Sequence, residues 1–284
     1  MIIDGKKIAQ DLRERLKKEI NQLSASSIKP GLAVILIGDD PASHIYVKNK
    51  EKYAKEIGIN SKVLRFDTSI QEKNLIKEIH QLNNDKTFHG ILVQLPLPNH
   101  INPKKIISEI IPAKDVDGFH PINVGNLSSG NESLVPCTPY GCYLLLKEII
   151  PNFSGMHAVI IGRSNINGKP MAQLLLKEDC TVTITHSKTK NLKEICLTAD
   201  ILIAAAGKAK MVKADWVQKD CVVIDVGINR IEENGNKKIV GDVDFENIKE
   251  KVKAITPVPG GVGPMTISCL LNNTLTAYKK IVSN

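Results

Sequence analysis

The stretch VIIGRSNINGKPMAQLLL, residues 159–176, decides the fold: an apolar β-forming run, a glycine, a polar loop, a second glycine and an apolar helical run. That order makes a strand, a turn and a helix, the junction at which backbone N–H groups and the positive end of a helix dipole can receive a phosphate. Gly162 and Gly168 bracket a loop longer than G-x-G-x-x-G allows, so the segment alone also fits a tight strand-to-helix connection without a ligand.

The following strand, TVTITH (181–186), narrows the choice of ligand. In NAD-selective folds of this kind an acidic residue about 20 positions onward holds the ribose 2′-hydroxyl. This chain instead offers His186, Ser187 and Lys188. With Arg163 in the first turn, a guanidinium and a hydroxyl are available for a 2′-phosphate, and NADP is expected over NAD. His186 by itself carries little weight, and the expectation rests on the missing acid together with Arg163.

The pattern continues on both sides. DILIAAA (200–206) and CVVIDVG (221–227) read as further strands, and a helix is expected near 168–178. Upstream, Ile8, Leu12, Leu16, Ile20 and Leu23 recur at helical spacing before the apolar run GLAVILIG (31–38). A helix of about 17 residues follows, with Asp40 to cap it, Pro41 at its first position and Gly58 to stop it. SKVLRF (61–66), the helical QEKNLIKEIHQL (71–82) and GILVQLPL (90–97) complete a series of βα units on a mostly parallel sheet. The Gly-, Asn-, Ser- and Pro-rich tract 114–141 interrupts that rhythm, and a new helix is expected from Thr138-Pro139. Ile267, Leu270, Leu271, Leu275, Tyr278 and Ile281 share one stripe of a long terminal helix that needs a partner surface.

Composition limits the function classes. With 284 residues, 42% of them hydrophobic, the chain can bury a substantial core. A net charge of +8 favours acidic partners, but the charges of both signs are interspersed and few aromatics are present to stack on bases. Small anions are therefore expected as ligands, and not nucleic acid. Cys137, Cys142, Cys180, Cys196, Cys221 and Cys269 form no C-x-x-C pair and have no histidine at ligand spacing, so no metal site is expected. No apolar run approaches the roughly 20 residues of a membrane helix. MIIDGKKIAQ enters an amphipathic pattern directly, and a cytosolic protein with no membrane partner is expected.

Within SHIYVKNKEKYAKE (43–56) four lysines occur in fourteen residues. On a wheel of about 100° per residue with Tyr46 at zero, Lys48, Lys52 and Lys55 fall at roughly 180° to 240°, while Lys50 falls near 40°. Lys50 thus shares the face of Tyr46, Val47, Tyr53, Ala54 and Ile57. A desolvated ammonium there would have a lowered pKa suited to proton transfer. Periodicity alone rather favours a lysine whose stem covers apolar surface while its head reaches water.

Read together, DDPASHIYVKNK (39–50), GILVQLPLP (90–98), KDVDGFHPINVGNL (114–127), PCTPYG (136–141), GRSNINGKPMAQLL (162–175) and ITPVPGGVGPMT (255–266) resemble the bifunctional methylenetetrahydrofolate dehydrogenase/cyclohydrolase family, in order and over nearly the whole chain. The resemblance implies an α/β fold of two Rossmann-like domains flanking a cleft. Residues 1–138, completed by the terminal helix 267–284, would hold folate, and residues 139–266 would hold NADP. It also implies a homodimer and tetrahydrofolate one-carbon derivatives as substrates.

Carried over by position, the family pattern places Tyr46 beside the folate rings and makes Lys50 the catalytic lysine of the cyclohydrolase step. Gln94 would orient that lysine, and Asp117 would anchor pterin nitrogens. Taken unaided, Gln94 reads as the end of a strand and Asp117 as a turn residue. The resemblance also places Gly260, Gly261, Gly263 and Thr266 where nicotinamide and folate meet, and makes Gly162, Arg163, Ser164, Ser187, Ile228 and Thr266 dinucleotide contacts. Three glycines within four residues let backbone approach a ligand closely. Two positions depart from the family pattern: Asn167, where an apolar residue is usual, and Cys221, where a small one is. The neighbouring alternative is a dehydrogenase of the same fold without hydrolase activity.

Overall fold

The computed structural model describes residues 1–23, 29–233 and 235–283. Along the chain run α1 (Gly5–Gln22), β1 (Gly31–Ile37), α2 (Pro41–Glu56), β2 (Asn60–Phe66), α3 (Glu72–Asn84), β3 (Gly90–Val93), α4 (Pro103–Ser108), α5 (Pro121–Ser128) and α6 (Cys137–Lys147). They are followed by β4 (His157–Ile161), α7 (Gly168–Lys177), β5 (Thr181–Thr185), α8 (Leu192–Cys196), β6 (Ile201–Ala204), β7 (Val222–Asp225), the hairpin β8 (Asn229–Glu233) and β9 (Asn236–Val240), α9 (Phe245–Ile248), β10 (Ala254–Ile255) and α10 (Val262–Val282). The chain divides into two compact units: Gln10–Cys137 with Ile267–Asn284, and Met1–Ala9 with Thr138–Thr266.

The sheet of the first unit has the order β2-β1-β3, all parallel, with Val34 of β1 opposite Val63 and Leu92. β1 is buried along its whole length, as its unbroken apolar run requires of a central parallel strand. Leu75, Ile79 and Leu82 of α3 pack with Ala33, Ile35, Ile91 and Val93 into the core. Asp40 caps α2 by accepting from Ser43 N at 2.7 Å, Pro41 opens it, and Gly58 just beyond its end takes φ +92. The apolar stripe of α10 is buried within this unit from Ile267 to Tyr278, so the terminal helix does return to it.

The second unit holds a five-stranded parallel sheet of order β10-β7-β6-β4-β5, covered by a core that includes Val159, Leu202, Val223, Ile248 and Ile255. In both sheets a first strand lies between the second and the third. Strand order therefore reverses at β1/β3 in one and at β4/β6 in the other, the positions at which open α/β sheets bind ligands at their carboxyl ends.

Three features differ from the sequence reading. Residues 1–9 group with 138–266 and not with the rest of 1–138, because the chain start pairs in parallel with β10, Ile3 N donating to Ile255 O and Ile255 N to Met1 O. The turn-rich tract contains a true helix, α5, begun by Pro121 and capped by His120, whose Nδ1 accepts from Ile122 N. The glycine tract 260–266 is only partly loop, for α10 starts at Val262. Pro264 is tolerated in the first turn, where its missing N–H would have no helical partner.

Candidate active site

The carboxyl ends of β1 and β3 gather the residues singled out on the first unit. On α2, Lys48, Lys52 and Lys55 are exposed, whereas Lys50 is 7% exposed. Its Nζ donates to Gln94 Oε1 at 2.9 Å. Gln94 directly follows β3, where its N–H continues the ladder to Ile35 O, and its Nε2 donates to Leu95 O at 2.8 Å. With the amide nitrogen committed to Leu95, the amide oxygen faces the lysine. Burial lowers the Lys50 pKa below the ordinary lysine value, and the charge of Asp117 opposes that shift. Half-buried Tyr46 stands one helical turn before Lys50.

Asp117 reaches this group through the tract 114–118, in which each residue is locally fixed. Lys114, 4% exposed, donates to Leu82 O, Asn83 O and Asp85 O at 2.8 to 2.9 Å and so binds the carbonyl end of α3. Asp115 pairs in parallel register with Ile91 of β3 and accepts from His120 N and Asn123 Nδ2. Val116 is fully buried, and Gly118 takes φ +73 where a Cβ would meet Leu134 O at 2.6 Å. Asp117 thus comes alongside the end of β3. Its carboxyl keeps some exposure, yet the surrounding protein atoms push its pKa up to about 6, against the pull of Lys50. At neutral pH it is ionised. Cys137 lies in the same cluster, and burial raises its thiol well above the ordinary range, so it is no thiolate nucleophile.

In the second unit the corresponding place is built from backbone. Gly162, at the end of β4, has φ +126, and a Cβ there would lie 2.3 Å from Ala205 O at the end of β6. A Cβ on Gly168 would lie 2.0 Å from Gly162 O, so both glycines are demanded by close approach of helix, turn and strand. Ser164 Oγ accepts from Asn167 N, while Asn167 makes no side-chain cap on α7. Within the first turn of α7, Lys169 N donates to Ser164 O, Met171 N donates to Asn167 O and Pro170 has no N–H, which leaves the Gly168 N–H and the positive end of a ten-residue helix beside the glycine turn for a dinucleotide phosphate. Arg163, Ser164 and Ser187 are exposed, as is Ile228 at 54%. His186 Nδ1 and Thr189 Oγ1 brace the turn that carries Ser187. Asn167, the departure from the family pattern, lines an apolar hollow with Met171, Ala205 and Val226; Cys221 is buried. Thr266, on the first turns of α10, lies 3.1 Å from Thr138 Oγ1. Gly260 has φ +111, and a Cβ on Gly261 would press on Pro257 O at 2.6 Å.

The sequence reading missed the two buried carboxylates that hold these loops. Asp242 accepts from Ala206 N, Gly207 N and Lys208 N at 2.6 to 2.9 Å and from Asn229 Nδ2 at 2.8 Å. Asp225 accepts from Gly227 N, Asp242 N and Val243 N, each at 2.9 Å, while burial pushes its pKa up to about 7. Their signal was an aspartate one or two residues from a glycine just past a strand, in IDVG and GDVD. Among the described residues there is no cluster suited to a metal, and no helix is long and apolar enough to cross a membrane.

Comparison with known proteins assigns the family. The tetrahydrofolate dehydrogenase/cyclohydrolase catalytic domain matches residues 3–117, and the NAD(P)-binding domain of the same family matches 136–282. The chain belongs to this family. It is 62% identical over 281 residues to the bifunctional protein FolD of Pelagibacter ubique, covering 99% of each chain. Its fold matches the bifunctional FolD methylenetetrahydrofolate dehydrogenase/cyclohydrolase of Campylobacter jejuni with a TM-score of 0.96, at 49% identity and 99% coverage of both. It also matches the Trypanosoma brucei family member solved with NADP and an inhibitor, with a TM-score of 0.95, 36% identity, and coverage of 100% of this chain and 99% of that one.

Proposed function

We propose that this protein oxidises 5,10-methylenetetrahydrofolate with NADP and hydrolyses the resulting 5,10-methenyl cation to 10-formyltetrahydrofolate. The observation that carries the hydrolytic half is the buried Lys50 amine, held 2.9 Å from Gln94 Oε1 in the cluster with Asp117.

The dinucleotide, when bound, supplies hydride acceptance, and the protein's share of that step is alignment of the reacting atoms. The Gly162–Gly168 turn and the α7 N-terminus would take its phosphates. Arg163 and Ser187 would take the 2′-phosphate, in the absence of an acid after β5. Ile228, after β7, would offer an apolar wall, Ser164 in the β4–α7 turn and Thr266 in the first turns of α10 would offer hydroxyls, and Gly260 and Gly261 would admit the folate closely.

In the hydrolytic step Lys50, with its preference for charge weakened by burial, accepts one proton from the water that adds to the methenyl carbon and returns it to N5 as the bond from that carbon to N5 breaks, while the remaining hydroxyl proton leaves to solvent as the formyl group forms. Gln94 holds the amine toward the reacting water. Asp117, ionised at neutral pH, accepts hydrogen bonds from pterin N–H groups, and the Tyr46 ring lies along the folate. A homodimer in the cytosol is part of the same proposal. Light scattering of the purified protein would test the dimer.

The decisive test is hydrolysis of methenyltetrahydrofolate by Lys50→Met, followed by loss of its absorbance, alongside NADP-dependent oxidation of the methylene substrate. Loss of hydrolysis is expected. A parental rate refutes the role of Lys50, and a parent protein without hydrolysis leaves the monofunctional dehydrogenase.

A further inference from the structure

Asn273 sits on α10 among the leucines of the terminal stripe and is 4% exposed. A polar amide on such a face is costly unless it is fully hydrogen-bonded. Its Nδ2 donates to Val116 O at 2.9 Å and to Val135 O at 2.8 Å, and stands 3.7 Å from Cys137 Sγ. Both acceptors border the Lys50 cluster. Val116 directly precedes Asp117, and Val135 lies two residues before Cys137, whose thiol also donates to Val116 O at 3.2 Å.

The two segments are pressed together, as the tight fit of Gly118 against Leu134 and Pro136 records. One nitrogen with two protons and no charge can bridge two carbonyls in this space. A serine offers one proton, and an aspartate would set a carboxylate against two carbonyl oxygens. The partners of Asp117 from the surrounding elements are Lys50, Asp115 and Cys137. A shift of the Val116 carbonyl moves the Asp117 carboxylate relative to all three.

We infer that Asn273 is a positioning residue for the hydrolytic site: its carboxamide pins the carbonyls of Val116 and Val135 and thereby fixes Asp117 against Lys50. The inference rests on reading Lys50 and Asp117 as the hydrolytic residues. It makes a helix more than 130 residues distant in sequence part of the folate site.

The test uses the full-length protein and the variants Asn273→Ser and Asn273→Gln, with methenyltetrahydrofolate hydrolysis followed against pH and NADP binding measured by calorimetry. A misplacement of this kind should lower hydrolytic kcat/KM about tenfold in the serine variant. The acidic limb of the profile should move to higher pH as Asp117 draws away from Lys50, and NADP affinity should be retained. A folded serine variant with parental kinetics and an unmoved limb overturns the inference. So does a parallel loss of hydrolysis and NADP binding, the mark of a purely structural residue. If the serine variant does not fold, Asn273→Gln, with the same amide on a longer stem, decides: reduced hydrolysis with intact NADP binding supports the inference, and parental kinetics overturn it. Hydrolysis by Lys50→Met at the parental rate would sink the underlying reading itself, whereas a dead Lys50→Met beside parental Asn273 variants would sink this inference alone.

Discussion

The carboxyl ends of β1 and β3 and those of β4 and β6 occupy the same place in two parallel sheets whose first three strands are ordered alike, yet they are furnished in opposite ways. At the first, three side chains meet in low exposure: a lysine from the helix after β1, a glutamine at the end of β3 and an aspartate from the segment beside it. At the second, the surfaces that meet are glycine backbone, and Arg163, Ser164, Ser187 and Ile228, assigned to the cofactor, stand exposed. Its buried carboxyl groups, Asp225 and Asp242, are engaged by backbone N–H groups of the loops they hold. The topology supplies a crevice and leaves its chemistry open. A site that must tune a proton needs a desolvated amine; a site that must hold phosphates needs bare N–H groups and reachable cations.

The comparison breaks most visibly at Lys50. Lys50→Met should lower methenyltetrahydrofolate hydrolysis by about a thousandfold while NADP binding, measured by calorimetry, stays at the parental value. Loss of both together would mean that the two places are not independently furnished.

Next in size is Arg163→Ala. Removing a charge-assisted bond to a phosphate should weaken NADP by about thirtyfold and leave NAD and hydrolysis little changed. Steady-state kinetics with both dinucleotides read this directly, and equal losses for NADP and NAD would remove the 2′-phosphate assignment.

The smallest effect is in stability. Burial lifts Asp117 from 3.8 to about 6, so between these values the fold keeps a proton that the unfolded chain has released. Its contribution to stability is full below the lower value and is lost as pH rises through the upper one. Melting temperatures of the parent and Asp117→Asn, followed from pH 4 to 7, should show the parent losing ground relative to the variant as pH rises. A constant difference would mean that Asp117 is not perturbed.

How much of this was legible depended on whether a local pattern carried it. Lys50 was separable from Lys48, Lys52 and Lys55 because helical phase sets it on the apolar face, although phase left open whether its amine reaches water, and Asp40, Pro41 and Gly58 mark the ends of its helix. The strand orders were not legible, since parallel strands pair across intervening helices. Helix α5 was hidden because its cap and first turn, His120-Pro121, are composed like a turn. Lys114 lies in a tract composed like a turn, and it is buried on the Leu82, Asn83 and Asp85 carbonyls at the end of α3, which no local pattern announces. Asn273 lay within the stretch read as an apolar stripe, and its acceptors are contributed by segments remote in sequence. The first nine residues moved to the other unit for the same reason: their pairing partner, Ile255, lies at the far end of the chain.

The account turns on the state of one amine, and isotope-detected NMR of the lysine side-chain nitrogens, with Lys50→Met used to assign the signal, measures it most directly. The Lys50 signal should titrate below the surface lysines and move when folate binds. A Lys50 amine that titrates with the surface lysines and does not respond to folate would contradict the account.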